Sequence, residues 1–170
     1  IEYQFLNAIK KYFSEIKFDL VLYSTPPITF SKVIDYVKKR DKAYSYLLLK
    51  DIFPQNAVDM KMLKKNGIIH KYFLRKEKRL YKLSDKIGCL SQANLDYLKK
   101  HNSYLDFKKI EINPNTICPY YINSSSSEKK NIRLKYSIPH DKKIFIYGGN
   151  LGKPQGLDFL LKTIQETKRL

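Results

Sequence analysis

Four short runs rich in Val, Ile, Leu and Tyr alternate with segments whose apolar residues recur every three or four positions. The runs are Phe18-Asp19-Leu20-Val21-Leu22-Tyr23-Ser24, Ala43-Tyr44-Ser45-Tyr46-Leu47-Leu48-Leu49, Lys86 to Leu90 and Lys108 to Asn113. Each reads as a strand that is apolar on both faces, and Thr25-Pro26-Pro27 ends the first because proline cannot continue a sheet. Helical spacing joins Phe5, Ile9, Phe13 and Ile16, then Val33, Ile34 and Val37 between Ser31 and Lys39. Two further helices are predicted over Ile68 to Leu83 and Gln92 to His101. Strands that alternate with helices across short connections pair in parallel, so the expected class is α/β: a parallel sheet with helices on both faces.

The alternation breaks after Asn113. Residues Asn115 to Ser127 hold one proline, two tyrosines and the serines Ser124 to Ser127, which reads as a linker or crossover. A short helix over Glu128 to Tyr136 and a strand over Lys143 to Tyr147 are predicted next. A glycine-rich turn, Gly148 to Gly156, then leads into a helix from Leu157. One strand with one or two helices is too little for a stable second domain. The expected organisation is therefore a slice truncated at both ends: residues 1–117 as one domain, 118–142 as crossover and linker helix, and 143–170 as the first βα unit of another.

Charge narrows the partners. There are 33 Lys and Arg against 16 Asp and Glu, a formal net charge of +17. That surplus suits nucleic acid, an acidic membrane leaflet or a phosphorylated small molecule. No stretch approaches the ~20 apolar residues of a membrane span, and the N-terminus lacks the layout of a secretory signal. Cys89 and Cys118, the only cysteines, read as reduced thiols. His70, His101 and His140 are scattered and read as surface or helix-end residues; with no Asp-x-Asp and no Cys/His cluster, no metal site is expected.

Three features carry chemistry. In the turn at Gly148, Gly149 and Asn150, backbone N–H groups can approach an anion closely, and Lys153 adds a point charge; the alternative is a purely geometric strand–helix turn. Asp51 follows a buried strand at the edge where parallel α/β sheets seat ligands, and can hold or deprotonate a hydroxyl; the alternative is a helix N-cap or an Asx turn. Lys71, Arg75, Lys78 and Lys82 share one side of the helix over Ile68 to Leu83, either as a solvated face or as a footprint on acidic lipid.

Five stretches taken in order resemble glycosyltransferase family 4, the two-domain GT-B enzymes, and are most similar to the branch that builds bacterial capsule and O-antigen. They are Phe18-Asp19-Leu20-Val21 with Ser24-Thr25-Pro26-Pro27; Lys50-Asp51-Ile52-Phe53-Pro54-Gln55; Ser84-Asp85-Lys86-Ile87 through Leu90-Ser91; Asn113-Pro114-Asn115; and Tyr147-Gly148-Gly149-Asn150-Leu151-Gly152-Lys153-Pro154-Gln155-Gly156-Leu157. The resemblance implies a Rossmann-like acceptor-side domain up to about residue 117, then a crossover into the donor-side domain. It implies that the turn at Gly149 faces the diphosphate of a nucleotide-sugar, which is a substrate, so no cofactor is expected. The implied acceptor is a lipid-linked or saccharide species at the cytoplasmic face of the plasma membrane, which makes the protein peripheral there. Asn150 and Gln155 stand where many members carry Arg and Lys, and Lys50 where many carry His. A paired-glutamate motif of the donor domain would lie beyond Leu170. Competing readings are a basic nucleic-acid-binding module, for which no motif is present, and a non-catalytic membrane-surface domain.

Overall fold

The computed structural model describes residues 1–119 and 132–167, apart from the Lys153 side chain. The chain divides into two compact units, Ile1–Thr116 and Ile117–Leu170.

The first unit is α/β, with four parallel strands flanked by helices. Strands β1 (Leu20–Thr25), β2 (Tyr44–Leu49), β3 (Lys86–Cys89) and β4 (Ile110–Ile112) lie side by side in the order of the sequence. Helices α1 (Glu2–Tyr12), α2 (Ser31–Asp41), α3 (Gln55–Asp59), α4 (Ile68–Leu83) and α5 (Gln92–His101) fill the spaces around them. Ser91 caps α5, its Oγ accepting from the Asn94 N–H at 3.3 Å. Two elements go beyond the sequence reading: α3, and a 3-10 turn at Phe107–Lys109. The predicted N-terminal helix also stops at Tyr12, short of Phe13 and Ile16, and buries none of its residues. It is held to α2 by the Phe5–Phe30 ring contact at 5.1 Å and by Glu2, which accepts from the Lys32 N–H at 2.7 Å.

The strand register sorts side chains into rows. Tyr23, Leu47, Ile87 and Ile110 form one row across the sheet, and Thr25, Leu49, Cys89 and Ile112 the next. These rows meet Ile34, Leu80, Tyr81, Leu95 and Leu98 from the helices in a single core, in which Leu47, Leu49 and Ile87 are wholly buried. Each such side chain contributes about 1.5–3 kcal/mol through burial. Residues of the other parity are apolar mainly on β1 and β2, and Leu20, Leu22 and Tyr44 on that face remain about half exposed. The strand order explains the one-sided packing. Right-handed crossovers between strands laid down in one direction deliver successive helices to the same side of the sheet. On the open face the Tyr46 ring lies over Gly88, where a Cβ would stand 2.6 Å from the Tyr46 Oη, so only glycine fits. Tyr46 Oη donates to Glu111 at 2.8 Å and accepts from Asn113 Nδ2 at 2.9 Å.

Asp85 fastens the start of β3. Its Oδ2 accepts from Lys38 Nζ at 2.6 Å and from the Ser45 N–H and hydroxyl, each at 2.8 Å, tying α2, β2 and β3 together. Burial raises the Asp85 carboxyl, but the hydrogen bonds from Lys38 and Ser45 outweigh it and hold the group below the usual carboxylate range. The linked stability is therefore present above the ordinary aspartate pKa and is lost as pH falls through the lower folded value. Asp85→Asn is expected to destabilise the chain by about 1–3 kcal/mol at neutral pH. The gap from wild type should close in acid; urea titrations of both proteins across pH check this, and a constant gap would refute it.

The second unit has no buried residue among those described. Residues 132–135 form one helical turn, and Arg133 donates to the carbonyls of Pro139 and Lys142. Tyr136 follows as a turn, and residues 128–131 of the helix predicted over Glu128 to Tyr136, with residues 120–127 of the predicted linker, lie outside the described residues. The segment over Lys143 to Tyr147, predicted as a strand, pairs with nothing among the described residues, and Phe145 and Ile146 are 92% and 88% exposed. An apolar run has the composition of a strand, but a strand exists only through hydrogen bonds to a neighbour. The helix from Leu157 is present as Leu157–Thr167.

Candidate functional site

Asp51 stands just past the C-terminal end of β2 and is exposed. Thr25, the last residue of β1, grips its main chain: the Thr25 hydroxyl donates to the Asp51 carbonyl at 3.0 Å and lies 3.5 Å from the Asp51 N–H. The carboxylate itself has no hydrogen-bond partner among the described residues. Pro54, not Asp51, is the residue at the N-cap of α3, and that cap makes no side-chain bond. The two adjacent strand ends thus present a fixed backbone carrying a free carboxylate at the ligand-bearing edge of a parallel sheet.

Gly148, Gly149 and Asn150 lie in the second unit and are exposed. Tyr147 Oη donates to the Asn150 carbonyl at 2.9 Å, closing the turn. Gly149 has φ +155° and Gly156 φ +63°, positions where a side chain would be strained. A 3-10 turn over Lys153–Gln155 leads into the helix Leu157–Thr167. The Lys153 side chain lies outside the described residues.

Lys71, Arg75, Lys78 and Lys82 are all exposed on α4, and none is in an ion pair among the described residues. The ammonium groups of Lys78 and Lys82 lie 4.6 and 5.8 Å from the centroid of the Tyr104 ring, which leaves their charge uncancelled.

The buried side of α4 differs from the predicted one. Helical spacing groups Ile69 with Phe73, Leu80 and Leu83, yet Ile69 is 60% exposed, whereas His70 and Glu77 are buried with Leu80 and Tyr81. His70, read from the sequence as a surface or helix-end residue, lies in the first turn of α4 but is buried, and its Nδ1 accepts from the Asn66 N–H at 3.2 Å. His101 does sit at a helix end, stacked on Tyr97 at 4.0 Å. Glu77 accepts from Tyr81 Oη at 2.9 Å, and burial pushes its carboxyl up from 4.5 to about 7. A hydropathy pattern scores His and Glu as polar and so misses both; the available signal is their spacing of seven, which places them on one helix face. Burial also raises the Cys89 thiol to about 11, so it stays protonated and unreactive. Among the described residues there is no cluster of His, Cys, Asp and Glu suited to a metal ion, and no helix long and apolar enough to cross a membrane.

Searches of protein-family models and of curated proteins find no match to this chain.

Proposed function

We propose that this chain is part of a glycosyltransferase that moves a sugar from a nucleotide-diphosphate donor to a lipid-linked or saccharide acceptor at the inner face of the plasma membrane. The observation that carries the reading is Asp51: a carboxylate without a partner, on a backbone pinned by Thr25, at the C-terminal edge of a parallel sheet. That geometry suits a group which orients an acceptor hydroxyl and takes its proton as the new bond forms. The second element of the proposal is the glycine-rich turn. Backbone N–H groups at Gly148, Gly149 and Asn150, with the charge of Lys153, would bind the diphosphate and stabilise it as it departs. The chain carries no Asp-x-Asp pair, so the proposed stabilisation comes from the protein's own amides and lysine. The basic face of α4 would hold the enzyme against anionic lipid, where the acceptor resides.

The test supplies the whole protein with labelled nucleotide-sugars and with vesicles containing lipid-linked acceptors. Transfer is expected with at least one donor. Reversing Arg75, Lys78 and Lys82 to Glu is expected to weaken vesicle binding about a hundredfold, at ~1 kcal/mol per basic residue near the surface. No transfer with any donor, together with salt-sensitive binding to single-stranded DNA and none to vesicles, would replace this reading with the nucleic-acid one.

A further inference from the structure

Between α3, α4 and α5 lies a cavity of about 250 Å³, whose lining includes Gln55, Lys65, Asn66, His70, Glu77 and Tyr97. It includes neither Asp51 nor any part of the glycine-rich turn. One buried polar atom of its lining, His70 Nε2, is unsatisfied, and Glu77 keeps one oxygen unused. His70 is 4% exposed; its Nδ1 accepts a backbone hydrogen bond, so the neutral ring carries its proton on Nε2, and that N–H has no partner among the described residues. Glu77 is 6% exposed and uses Oε1 for Tyr81, while its second oxygen has no partner among the described residues. A buried donor or acceptor left unmatched is costly, which makes such groups the natural contacts of a ligand.

The lining also selects among ligands. A cation is disfavoured by Lys65 at the cavity and by the net charge of +17. An anion is disfavoured wherever Glu77 is ionised, above about pH 7, since no basic side chain is bonded to it among the described residues. The Asn102 amide is taken up by Leu98 and Tyr104 and the Gln55 amide nitrogen by Asp59, which leaves the Gln55 carbonyl, the Asn66 amide, the Tyr97 ring and Glu77, a set that suits a neutral molecule able to donate and accept hydrogen bonds. The volume falls below the ~300–1,000 Å³ of sites for larger ligands, which leaves room for a single ring. We infer that this cavity binds one neutral polyhydroxylated ring, of monosaccharide or cyclitol size, with one hydroxyl accepting from His70 Nε2 and another donating to Glu77.

This binding is separate from the transfer proposed above, and the two can fail independently. The experiment follows the His70 and His101 imidazole signals by NMR in the full chain. Methyl α-D-glucopyranoside, methyl α-D-galactopyranoside and myo-inositol are added in turn. A saturable shift of the His70 signals with at least one of them is expected. Leu74→Trp, which enlarges a side chain lining the cavity while leaving every polar partner in place, is expected to abolish the shift. Gln55→Ala, a smaller change at the rim, should weaken it severalfold in a chain that still folds. No shift with any of the three probes, or an equal shift in Leu74→Trp, overturns the inference. Loss of sugar transfer in the Asp51 variant bears on the transferase reading alone, and binding to the cavity should survive it.

Discussion

Asp51→Asn is expected to lower sugar transfer by about 10²–10⁴-fold, the range over which a positioned acid or base contributes to a rate. The substitution keeps the side chain's size and an oxygen acceptor, but removes the charge and the basicity. Its structural neighbours should not respond, because Thr25 holds the backbone of residue 51 and not its side chain. The expected pattern is therefore a fall in kcat with an unchanged unfolding midpoint and little change in donor KM. Lys153→Ala should instead raise the donor KM, since its proposed partner is the diphosphate. An Asp51→Asn enzyme with wild-type kcat would remove Asp51 from the mechanism, and an equal loss of stability would reduce it to a structural residue.

The second large effect concerns Glu77. Its folded carboxyl is raised by burial from 4.5 to about 7, so the folded chain holds this proton more tightly than the unfolded chain does. The resulting stability is complete below pH 4.5, declines as pH rises towards about 7, and is absent above that. At ~1.4 kcal/mol per unit, the decline is roughly 3 kcal/mol. Glu77→Gln mimics the protonated acid and retains an acceptor for Tyr81. It should match wild type near pH 4 and be more stable by up to about 3 kcal/mol at pH 8. Urea midpoints across that range decide the matter: parallel curves for the two proteins would show that Glu77 ionises freely in the fold. The effect runs opposite to that of Asp85, whose stabilising bonds disappear in acid.

Strands β1 and β2 were legible as dense runs of Val, Leu and Tyr, and β3 and β4 as shorter apolar stretches that follow a helix and stop at Ser91 and Pro114. Parallel pairing followed from the helices between them. The open face was not legible, since Leu20 and Leu22 read as core whether or not anything covers them. The same limit explains Lys143 to Tyr147, where composition favours a strand but no neighbour is present among the described residues to accept its hydrogen bonds. Helix α3 escaped notice because five residues after Pro54 hold too little periodicity to register. At the candidate site, Asp51 and the glycine turn were visible as residue types at element ends. His70 and Glu77 were not, because burial of a polar side chain depends on what the rest of the chain packs over it.

The strand order has a consequence for how the sheet is made. Each strand bonds only to the strands before and after it in sequence, so none must wait for a distant partner. As the chain leaves the ribosome, β2 can dock on β1, β3 on β2 and β4 on β3, each step closing one local crossover rather than threading a strand into an existing gap. The sheet can therefore grow outward from one edge at the pace of synthesis, with Asp85 sealing the β2–β3 junction as soon as Lys38 and Ser45 are in place.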